Sequence, residues 1–305
     1  MTHLPVMLDE VLAGLAIKPE GVYLDGTFGR GGHSRAILAQ LGPEGRLIAL
    51  DKDPEAIASP QARQLAHDRR FSLVQADFRH MAAVAEELGL AGRIDGILLD
   101  LGVSSPQLDN PSRGFAFLHD GPLDMRMNPA EGVSAAAWLA NASEQEIADV
   151  IFRYGEERFA RRIARAIVTA RRQHPLERTS QLAGLIEKAV PRRERNKHPA
   201  TRTFQALRIY LNRELEVLEQ ALPQTLTLLA PGGRLVVIAF HSLEDRIVKR
   251  FIRSQSRPRP LPPKLPVMPS EADLALKDLG KRLPDALEIA ANPRSRSAVL
   301  RVAER

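Results

Sequence analysis

A glycine-rich stretch near the start of the chain has the residue types of a ligand-binding turn. It reads Asp25-Gly26-Thr27-Phe28-Gly29-Arg30-Gly31-Gly32-His33-Ser34, and it lies between an apolar run, 22–24, and a segment of helical spacing, 36–41. This pattern is typical of a turn from a strand into a helix. Glycines let the backbone adopt positive φ and approach a ligand closely, and the first N–H groups of a helix attract acceptors. We therefore predict a ligand cradle, with a plain loop as the alternative.

Two acids indicate which ligand the cradle would hold. Asp25 ends the first predicted strand, where a carboxylate would disfavour a phosphate but favour an ammonium or a sulfonium. Asp51 ends a second apolar strand, 46–51. It lies about 20 residues after the glycines, where α/β nucleotide sites place the acid that accepts from ribose hydroxyls. The pattern therefore favours S-adenosylmethionine, with Asp25 and Asp51 in its site.

A nicotinamide dinucleotide is the second candidate ligand, because its sites share the strand-end acid. The phosphate fingerprint G-x-G-x-x-G is incomplete here, since Ser34 stands at the place of its last glycine. No G-K-[ST] sequence for a P-loop is present either. Dinucleotide binding therefore remains only an alternative.

Four predicted strands, 22–25, 46–51, 71–78 and 94–100, alternate with helical segments. Each ends at or near an acid: Asp25, Asp51, Asp77 and Asp100. The carboxyl ends of parallel strands meet at one edge of an open α/β sheet, so these acids are expected to line one crevice. Helix capping by aspartate is the alternative for one or two of them. The alternation predicts a Rossmann-like α/β fold.

Helical spacing replaces this alternation from about Leu108 to Arg213, with a capping box at 143–146 and a last helix expected over 203–222. Strands resume at 234–240, after a turn at 230–233, and at 298–302. We therefore predict an all-helical domain, 108–213, inserted into a sheet domain formed by 1–107 and 214–305. Trp138 is expected in the core of the insertion.

Basic residues concentrate in this insertion. Residues 151–213 contain 16 Lys and Arg against 5 Asp and Glu, a net charge of +11, so the rest of the chain carries −5 of the total +6. Such a concentration favours a polyanionic partner, above all a nucleic acid, although a solvated charged face is the ordinary explanation of a charge run. The residues expected to contact RNA include Arg192, Arg193, Arg195, Lys197 and Arg202.

Composition excludes several classes of protein. The chain has no cysteine, so disulfides, thiolate catalysis and cysteine zinc sites are absent, and no metal is expected. No apolar run approaches the roughly 20 residues that span a bilayer, and no basic-then-apolar signal pattern is seen at the N-terminus. We expect a soluble cytoplasmic protein. Six prolines in 258–269 predict an extended, mobile loop.

The chain closely resembles the bacterial ribosomal RNA small-subunit methyltransferase H family, also called MraW. The resemblance extends over nearly the whole chain. Its matching stretches are DGTFGRGGHS (25–34), DLGVSSPQ (100–107), GPLDMRM (121–127), HPATRTFQA (198–206) and FHSLEDR (240–246).

This resemblance implies methylation, from S-adenosylmethionine, of the exocyclic 4-amino group of a cytidine in the decoding region of 16S ribosomal RNA. It also implies the cofactor contacts, which are Gly31, Gly32, His33, Asp51, Phe78, Asp100 and Gln107. Asp51 would accept from the ribose, Phe78 would pack near the adenine, and the loop backbone would hold the methionine end.

The target cytosine must leave any base stack, and we expect its pocket between the sheet edge and the insertion. The predicted catalytic residues are Asp100, Ser104, Ser105, Asp124 and His241. Each has an alternative explanation as a capped turn or a loop anchor. The chain lacks the Asp/Asn-Pro-Pro-Tyr/Phe motif of DNA amino-methyltransferases, so the acceptor for the amine is open. A non-catalytic RNA-binding or ribosome-assembly factor is the alternative function. For the substrate, free RNA and an assembled subunit both stay open, and so do a monomer and a dimer for the protein.

Overall fold

The computed structural model describes residues 5–191, 198–258 and 274–305. The chain divides into two compact units, one formed by 1–102 and 215–305 and the other by 103–214. The sequence placed the start of the insertion at Leu108, whereas the second unit begins at Val103. Arg192, Arg193, Arg195 and Lys197, and all of the proline-rich stretch except Pro258, lie outside the described residues.

The first unit contains a seven-stranded sheet in the order β3-β2-β1-β4-β5-β7-β6. The strands are β1 (Val22–Asp25), β2 (Arg46–Asp51), β3 (Phe71–Gln75), β4 (Ile94–Asp100), β5 (Leu229–Ala239), β6 (Lys277–Arg282) and β7 (Val299–Glu304). Strands β1 to β5 are parallel, β7 runs antiparallel to β5, and β6 runs antiparallel to β7. The predicted Rossmann-like α/β fold is confirmed.

The helices of this unit pack on both faces of the sheet, which is why its central strands are apolar on both faces. They are α1 (Leu8–Leu15), α2 (Gly32–Gln40), α3 (Pro54–Ile57), α4 (Pro60–Leu65), α5 (Met81–Glu87), α12 (Glu214–Ala221), α13 (Gln224–Leu228), α14 (Ser242–Ser256) and α15 (Ala286–Ala291). Alternate residues of a strand enter opposite cores. Leu98, for example, joins the cluster that includes α1 and α2, whereas Leu99 joins the cluster that includes α5 and α14.

The second unit is helical, and an isolated bridge between Pro122 and Arg178 is the only β pairing found among its described residues. Its helices are α6 (Ser105–Asp109), α7 (Ala135–Asn141), α8 (Glu144–Gly155), α9 (Ala160–Arg171), α10 (Thr179–Ala189) and α11 (Thr201–Leu211). Its core combines apolar faces from α8 to α11, including Ile151, Ile163, Ile186 and Leu207. Trp138 is partly buried against this core.

Three predicted elements differ in the structure. The third strand ends at Gln75 rather than at Phe78, because Asp77 caps a 3-10 turn, Phe78–His80, by accepting from Arg79 N at 3.0 Å. The expected helix 203–222 is interrupted, since Arg213 has φ 52° and separates α11 from α12. Residues 230–233 belong to β5, where the pairing register with β4 shifts between Ile94 and Gly96.

None of the helices in the described part of the chain is long and apolar enough to cross a membrane.

The end of α1 provides a test of the described backbone. Ala16 has φ 48° and ψ 61°, a left-handed conformation that costs a residue with a Cβ about 1–2 kcal/mol. We expect Ala16→Gly to stabilise the protein by about 1 kcal/mol after the extra entropy of glycine in the unfolded chain is subtracted. The exposed mid-helix control Ala13→Gly should destabilise it by a similar amount. Denaturant unfolding measures both; a loss of stability in Ala16→Gly would contradict the left-handed cap.

Candidate functional site

The glycine-rich loop is hydrogen-bonded to the strands on both sides of β1. Gly26 N donates to Leu98 O of β4 at 2.9 Å, and Phe28 N donates to Leu50 O of β2 at 2.8 Å. The strand order reverses at this place, because the chain proceeds from β1 towards β2 and β3 on one side and later adds β4 and β5 on the other. Ligands of open α/β sheets bind at such a switch point. The loop therefore lies where the fold places a ligand.

Asp25 holds the shape of this loop. Its side chain is nearly fully buried, at 1 % exposure. One carboxylate oxygen accepts from Ser34 Oγ at 2.7 Å, and the other accepts from Thr27 N at 3.0 Å. Thr27 Oγ1 in turn accepts from Asp100 N at 2.7 Å. Burial raises the pKa of Asp25, against the effect of these hydrogen bonds. Its predicted cofactor contact stays a prediction, and the bonds it makes join the loop to β4.

Two positions of the loop, Gly29 and Gly31, require glycine because their backbone has positive φ. Gly29 and Gly31 have φ 56° and 69°, and a Cβ on Gly31 would lie 2.7 Å from the Phe28 ring. α2 begins at the next residue, Gly32, and its first N–H groups have no partner within the helix. This arrangement fits the predicted cradle, in which the backbone around Gly31, Gly32 and His33 approaches the methionine end of S-adenosylmethionine.

Asp51 is suited to accept from ribose hydroxyls. Gly29 N donates to one of its oxygens at 2.7 Å and Asp53 N to the other at 2.8 Å. A carboxylate has about four acceptor positions, so these two bonds orient the group without saturating it. Burial raises its pKa to about 6 in spite of both donors, and the neighbouring carboxylates of Asp53 and Asp25 act in the same direction.

Phe78 lies beside the cradle, as the predicted adenine contact requires. It is the first residue of the 3-10 turn after β3, and it is partly buried against one core of the sheet. A Cβ on Gly26 would lie 3.2 Å from Phe78 Cβ, so the aromatic residue packs directly over the start of the loop. The structure thus brings Phe78 to the same edge as Asp25 and Asp51.

The buried His33 and the partly buried Asp100 approach each other at this edge. His33 Nε2 lies 3.0 Å from Val6 O and must donate to it, because a carbonyl oxygen only accepts. The other ring nitrogen, Nδ1, lies 3.6 Å from Asp100 Oδ2. In the neutral ring this nitrogen carries a lone pair. At 3.6 Å the two atoms are close but are farther apart than in a hydrogen bond.

Asp100 keeps unused acceptor capacity. Burial raises its pKa to about 6; His33 opposes this shift, and the carboxylates of Asp25 and Glu244 add to it. Its Oδ1 atom is buried and has no hydrogen-bond partner in the protein. A buried carboxylate oxygen without a donor costs free energy, so a ligand that supplies an N–H would be favoured there. This is the donor type of both an ammonium and an exocyclic amine.

Ser104, Ser105 and Gln107 belong to the second unit, where they begin α6. Gln107 is buried, and its side-chain oxygen accepts from Ser104 N at 2.9 Å, forming a capping box with the Ser104 side chain. The capped-turn explanation therefore describes the geometry of Ser104 and Gln107. Their predicted catalytic and cofactor roles, and that of Ser105, stay predictions.

Asp124 and Arg126 pair with each other in the second unit. Two nitrogens of the Arg126 guanidinium lie 2.8 and 2.7 Å from the two Asp124 oxygens, and Arg126 N donates to the same carboxylate at 3.0 Å. Burial acts to raise the pKa of Asp124, but these hydrogen bonds outweigh it and the pKa is lowered. A carboxylate held in this way is a poor general base, so the geometry favours an anchor of the loop.

His241 caps α14 in the first unit. Its Nδ1 accepts from Glu244 N at 3.4 Å, while its Nε2 lies 3.1 Å from Glu244 Oε1. Glu244 is almost fully buried and also accepts from Phe240 N at 2.9 Å. The sequence reasoning did not single out Glu244, Ser34 or Thr27. The sequence pattern His-x-x-Glu directly after a buried strand indicates a helix cap, and it points to Glu244.

Asp51 provides a test of the cradle. We expect Asp51→Ala to weaken S-adenosylmethionine binding about 5- to 150-fold, because a hydrogen bond to a charged group contributes roughly 1–3 kcal/mol. The folded pKa of about 6 adds a pH signature. Protonation removes the negative charge that strengthens the hydrogen bonds from the ribose, so wild-type affinity should fall as the pH drops through about 6. The fall should be smaller in Asp51→Ala, where Asp100 is the remaining site carboxylate with a pKa of about 6.

Calorimetry at pH 7.5 and pH 5 measures this difference. Glu86→Ala removes an exposed carboxylate from α5, in the same unit, and serves as the matched control, with unchanged affinity. RNA affinity should also stay nearly intact in Asp51→Ala. Equal cofactor affinity of Asp51→Ala and wild type at pH 7.5 would exclude Asp51 from the site.

Comparisons with known proteins identify the family of the chain. The model of the MraW methylase family matches residues 1–305. A protein of Thioalkalivibrio sulfidiphilus (strain HL-EbGR7), described as ribosomal RNA small subunit methyltransferase H, is 60% identical over 305 residues, covering 99% of this chain and 97% of the relative.

Solved structures match with low identity. An rRNA methylase from Streptococcus thermophilus matches with a TM-score of 0.43 and 11% identity, over 100% of this chain and 98% of that chain. TrmN from Thermus thermophilus matches with a TM-score of 0.43 and 13% identity, over 98% and 48%. These similarities carry no conclusion about chemistry.

The family match covers the whole chain, and it supports the methyl donor expected from Asp25 and Asp51 over a nicotinamide dinucleotide. The chain belongs to the MraW methylase family and is a methyltransferase that depends on S-adenosylmethionine.

Proposed function

We propose that the substrate is the RNA of the small ribosomal subunit, and that the methyl group goes to the exocyclic 4-amino group of a cytidine in the decoding region of 16S ribosomal RNA. Support comes from the relative that is 60% identical and described as a ribosomal RNA small subunit methyltransferase, and from the motifs shared with that family. The net charge of +11 in residues 151–213 suits an RNA partner.

The observation that carries the chemistry is the partnerless Oδ1 of Asp100. S-adenosylmethionine supplies a methyl group bound to a sulfonium, and the transfer is an in-line displacement that depends on alignment. A cytosine amine is a poor nucleophile, because its lone pair is delocalised into the ring. A carboxylate that accepts a hydrogen bond from one N–H of the amine helps the nitrogen to become pyramidal. Asp100 is the residue of the sheet edge that we assign to this acceptor role.

The same oxygen also suits the ammonium of the methionine part of the cofactor, so one experiment must separate the two roles. Asp100→Asn removes the charge with little change of volume. A role in binding the cofactor alone would raise the Kd of S-adenosylmethionine and leave the single-turnover rate at saturating cofactor unchanged. We expect that rate to fall by at least 10-fold as well, as for the loss of a group that acts in proton handling.

The other predicted catalytic residues rank below Asp100 in this proposal. Ser104 is committed to a capping box, Asp124 to Arg126, and His241 to the cap of α14. Ser105 begins α6 beside that box. Full single-turnover methylation by Ser105→Ala, Asp124→Ala and His241→Ala, at saturating cofactor and RNA, would remove all three from the acceptor site.

Mapping of methylated nucleotides tests the substrate. Purified protein, labelled S-adenosylmethionine and either free 16S RNA or assembled small subunits are incubated, and the RNA is digested to nucleosides for mass spectrometry. We expect N4-methylcytidine at one decoding-region position. A different methylated base would overturn the amine assignment.

RNA binding without label transfer, in protein that binds the cofactor, would instead favour a non-catalytic assembly factor. An rRNA substrate implies a cytoplasmic location, and gel filtration would distinguish a monomer from a dimer.

A further inference from the structure

An aromatic ring is exposed on the surface of the helical unit, in the last turn of α8. Phe152 is 63 % exposed, whereas its neighbour Ile151 is fully buried. The core of the unit is therefore complete without this ring. Single exposed apolar residues are common in proteins, so the surroundings of Phe152 decide what it means.

Phe152 lies on the solvent-facing side of α8, beside a basic residue. Gln145, Asp149, Phe152 and Arg153 follow the spacing of one helix face. Asp149 accepts from Gln145 Nε2 at 2.9 Å, so this acid of the face is already hydrogen-bonded. Arg153 is exposed at the end of α8. The ring thus sits next to the exposed cationic side chain of Arg153, at the tip of the α8–α9 hairpin.

The hairpin continues as a stripe of arginines on α9. Arg161, Arg165 and Arg172 are exposed on one face, and Arg162 lies at its edge, while Ile163 and Ile167 on the opposite face enter the core. One ion pair is described on this stripe, between Arg165 and Glu144 at 3.5 Å, and both side chains are largely exposed. Such a pair contributes little and exchanges readily for another anion.

The residue types favour a phosphate-bearing partner over other anions. Residues 153–172 contain seven arginines, no lysine and two acids, Glu156 and Glu157. Glu157 is buried, and its carboxylate accepts from Phe159 N at 2.8 Å. The Arg158 guanidinium lies 4.8 Å from the Phe159 ring centroid, which shows a stacking arrangement already present at the tip. Arginine binds phosphate with two parallel hydrogen bonds and stacks on flat rings, which lysine does not.

We propose that the α8–α9 hairpin is an RNA-docking face, on which backbone phosphates lie along Arg161, Arg165 and Arg172 and an unstacked base lies on the Phe152 ring. Arg161 and Arg165 are four residues apart, about 6 Å along the helix, and Arg172 lies seven residues, about 10 Å, further on. The three side chains therefore form a line that an extended strand can follow. An exposed ring beside cations is the arrangement that binds single-stranded or looped RNA. This inference rests on the proposed rRNA substrate, and it adds which face of the protein receives the RNA.

The arginine stripe is tested by the triple variant Arg161→Gln, Arg165→Gln and Arg172→Gln, since glutamine keeps helix propensity. The control is Lys249→Gln, Arg250→Gln and Arg253→Gln, which removes the same charge from exposed positions of α14. Affinity for a fluorescent single-stranded RNA is measured from 50 to 300 mM salt. With about 0.7 per phosphate contact, the slope of log affinity against log salt should fall by roughly 2 in the first variant and stay close to wild type in the control.

The ring is tested separately by Phe152→Leu and Phe152→Tyr. Loss of a stacked base should weaken RNA binding about 5-fold or more in the leucine variant, and tyrosine should restore it. S-adenosylmethionine affinity and circular dichroism should be unchanged in all variants, which shows that each has folded. Equal salt slopes in the two triple variants, or equal RNA affinity of Phe152→Leu and wild type, would overturn the docking face. An affinity of this face for an acidic protein but not for RNA would do the same. None of these measurements depends on which base is methylated.

Discussion

The pairing of β1 with β4 brings two carboxylates, Asp25 and Asp100, to neighbouring strand ends, and the cofactor cradle depends on how they are held there. Thr27 connects them: its backbone N–H donates to Asp25, and its hydroxyl accepts from Asp100 N. The loop, the start of α2 and the end of β4 therefore form one hydrogen-bonded piece. A site held by backbone and short side chains loses little entropy when a ligand binds.

The three acids at this edge differ in how much hydrogen-bond acceptor capacity each has left for a ligand. Asp25 is fully enclosed and maintains the loop, Asp51 is oriented by two backbone N–H groups, and Asp100 retains an oxygen without a partner. Their sequence positions are equivalent, since each ends a strand. Their surroundings differ, because only Asp25 faces the hydroxyl of α2, Ser34. The structure thus indicates which acids have capacity left for ligand donors.

Sequence patterns predicted what is local and repetitive in this chain. Parallel strands ending in Asp25, Asp51 and Asp100, and the capping box at Ser143, follow from short-range spacing. The break at Arg213 was missed because the apolar spacing continues across it. Beside the break, the Asn212 side chain accepts from Met127 N and donates to Met125 O, and both partners are distant in sequence.

Two other features that the sequence did not predict also depend on contacts between distant segments of the chain. Strand β6 is fully exposed and polar, so its sequence carries no alternating pattern; it exists because β7 offers hydrogen-bonding partners. The orientation of the His33 ring towards Asp100 could not be predicted either, since it depends on the Val6 carbonyl that accepts from the ring Nε2. In both cases the deciding contact joins segments that are remote in the chain.

The raised pKa values link the site to stability. Asp51 and Asp100 have folded pKa values of about 6, above the ordinary 3.8. Their favourable contribution to folding is therefore complete below about pH 3.8 and is lost as the pH rises through 6. At neutral pH the ligand-free protein keeps two poorly solvated carboxylates at one edge. A ligand whose hydroxyls and ammonium donate to them stabilises the charged forms and lowers both pKa values. In the proposed site, the acids that make the free protein less stable are thus the groups through which cofactor binding would recover stability.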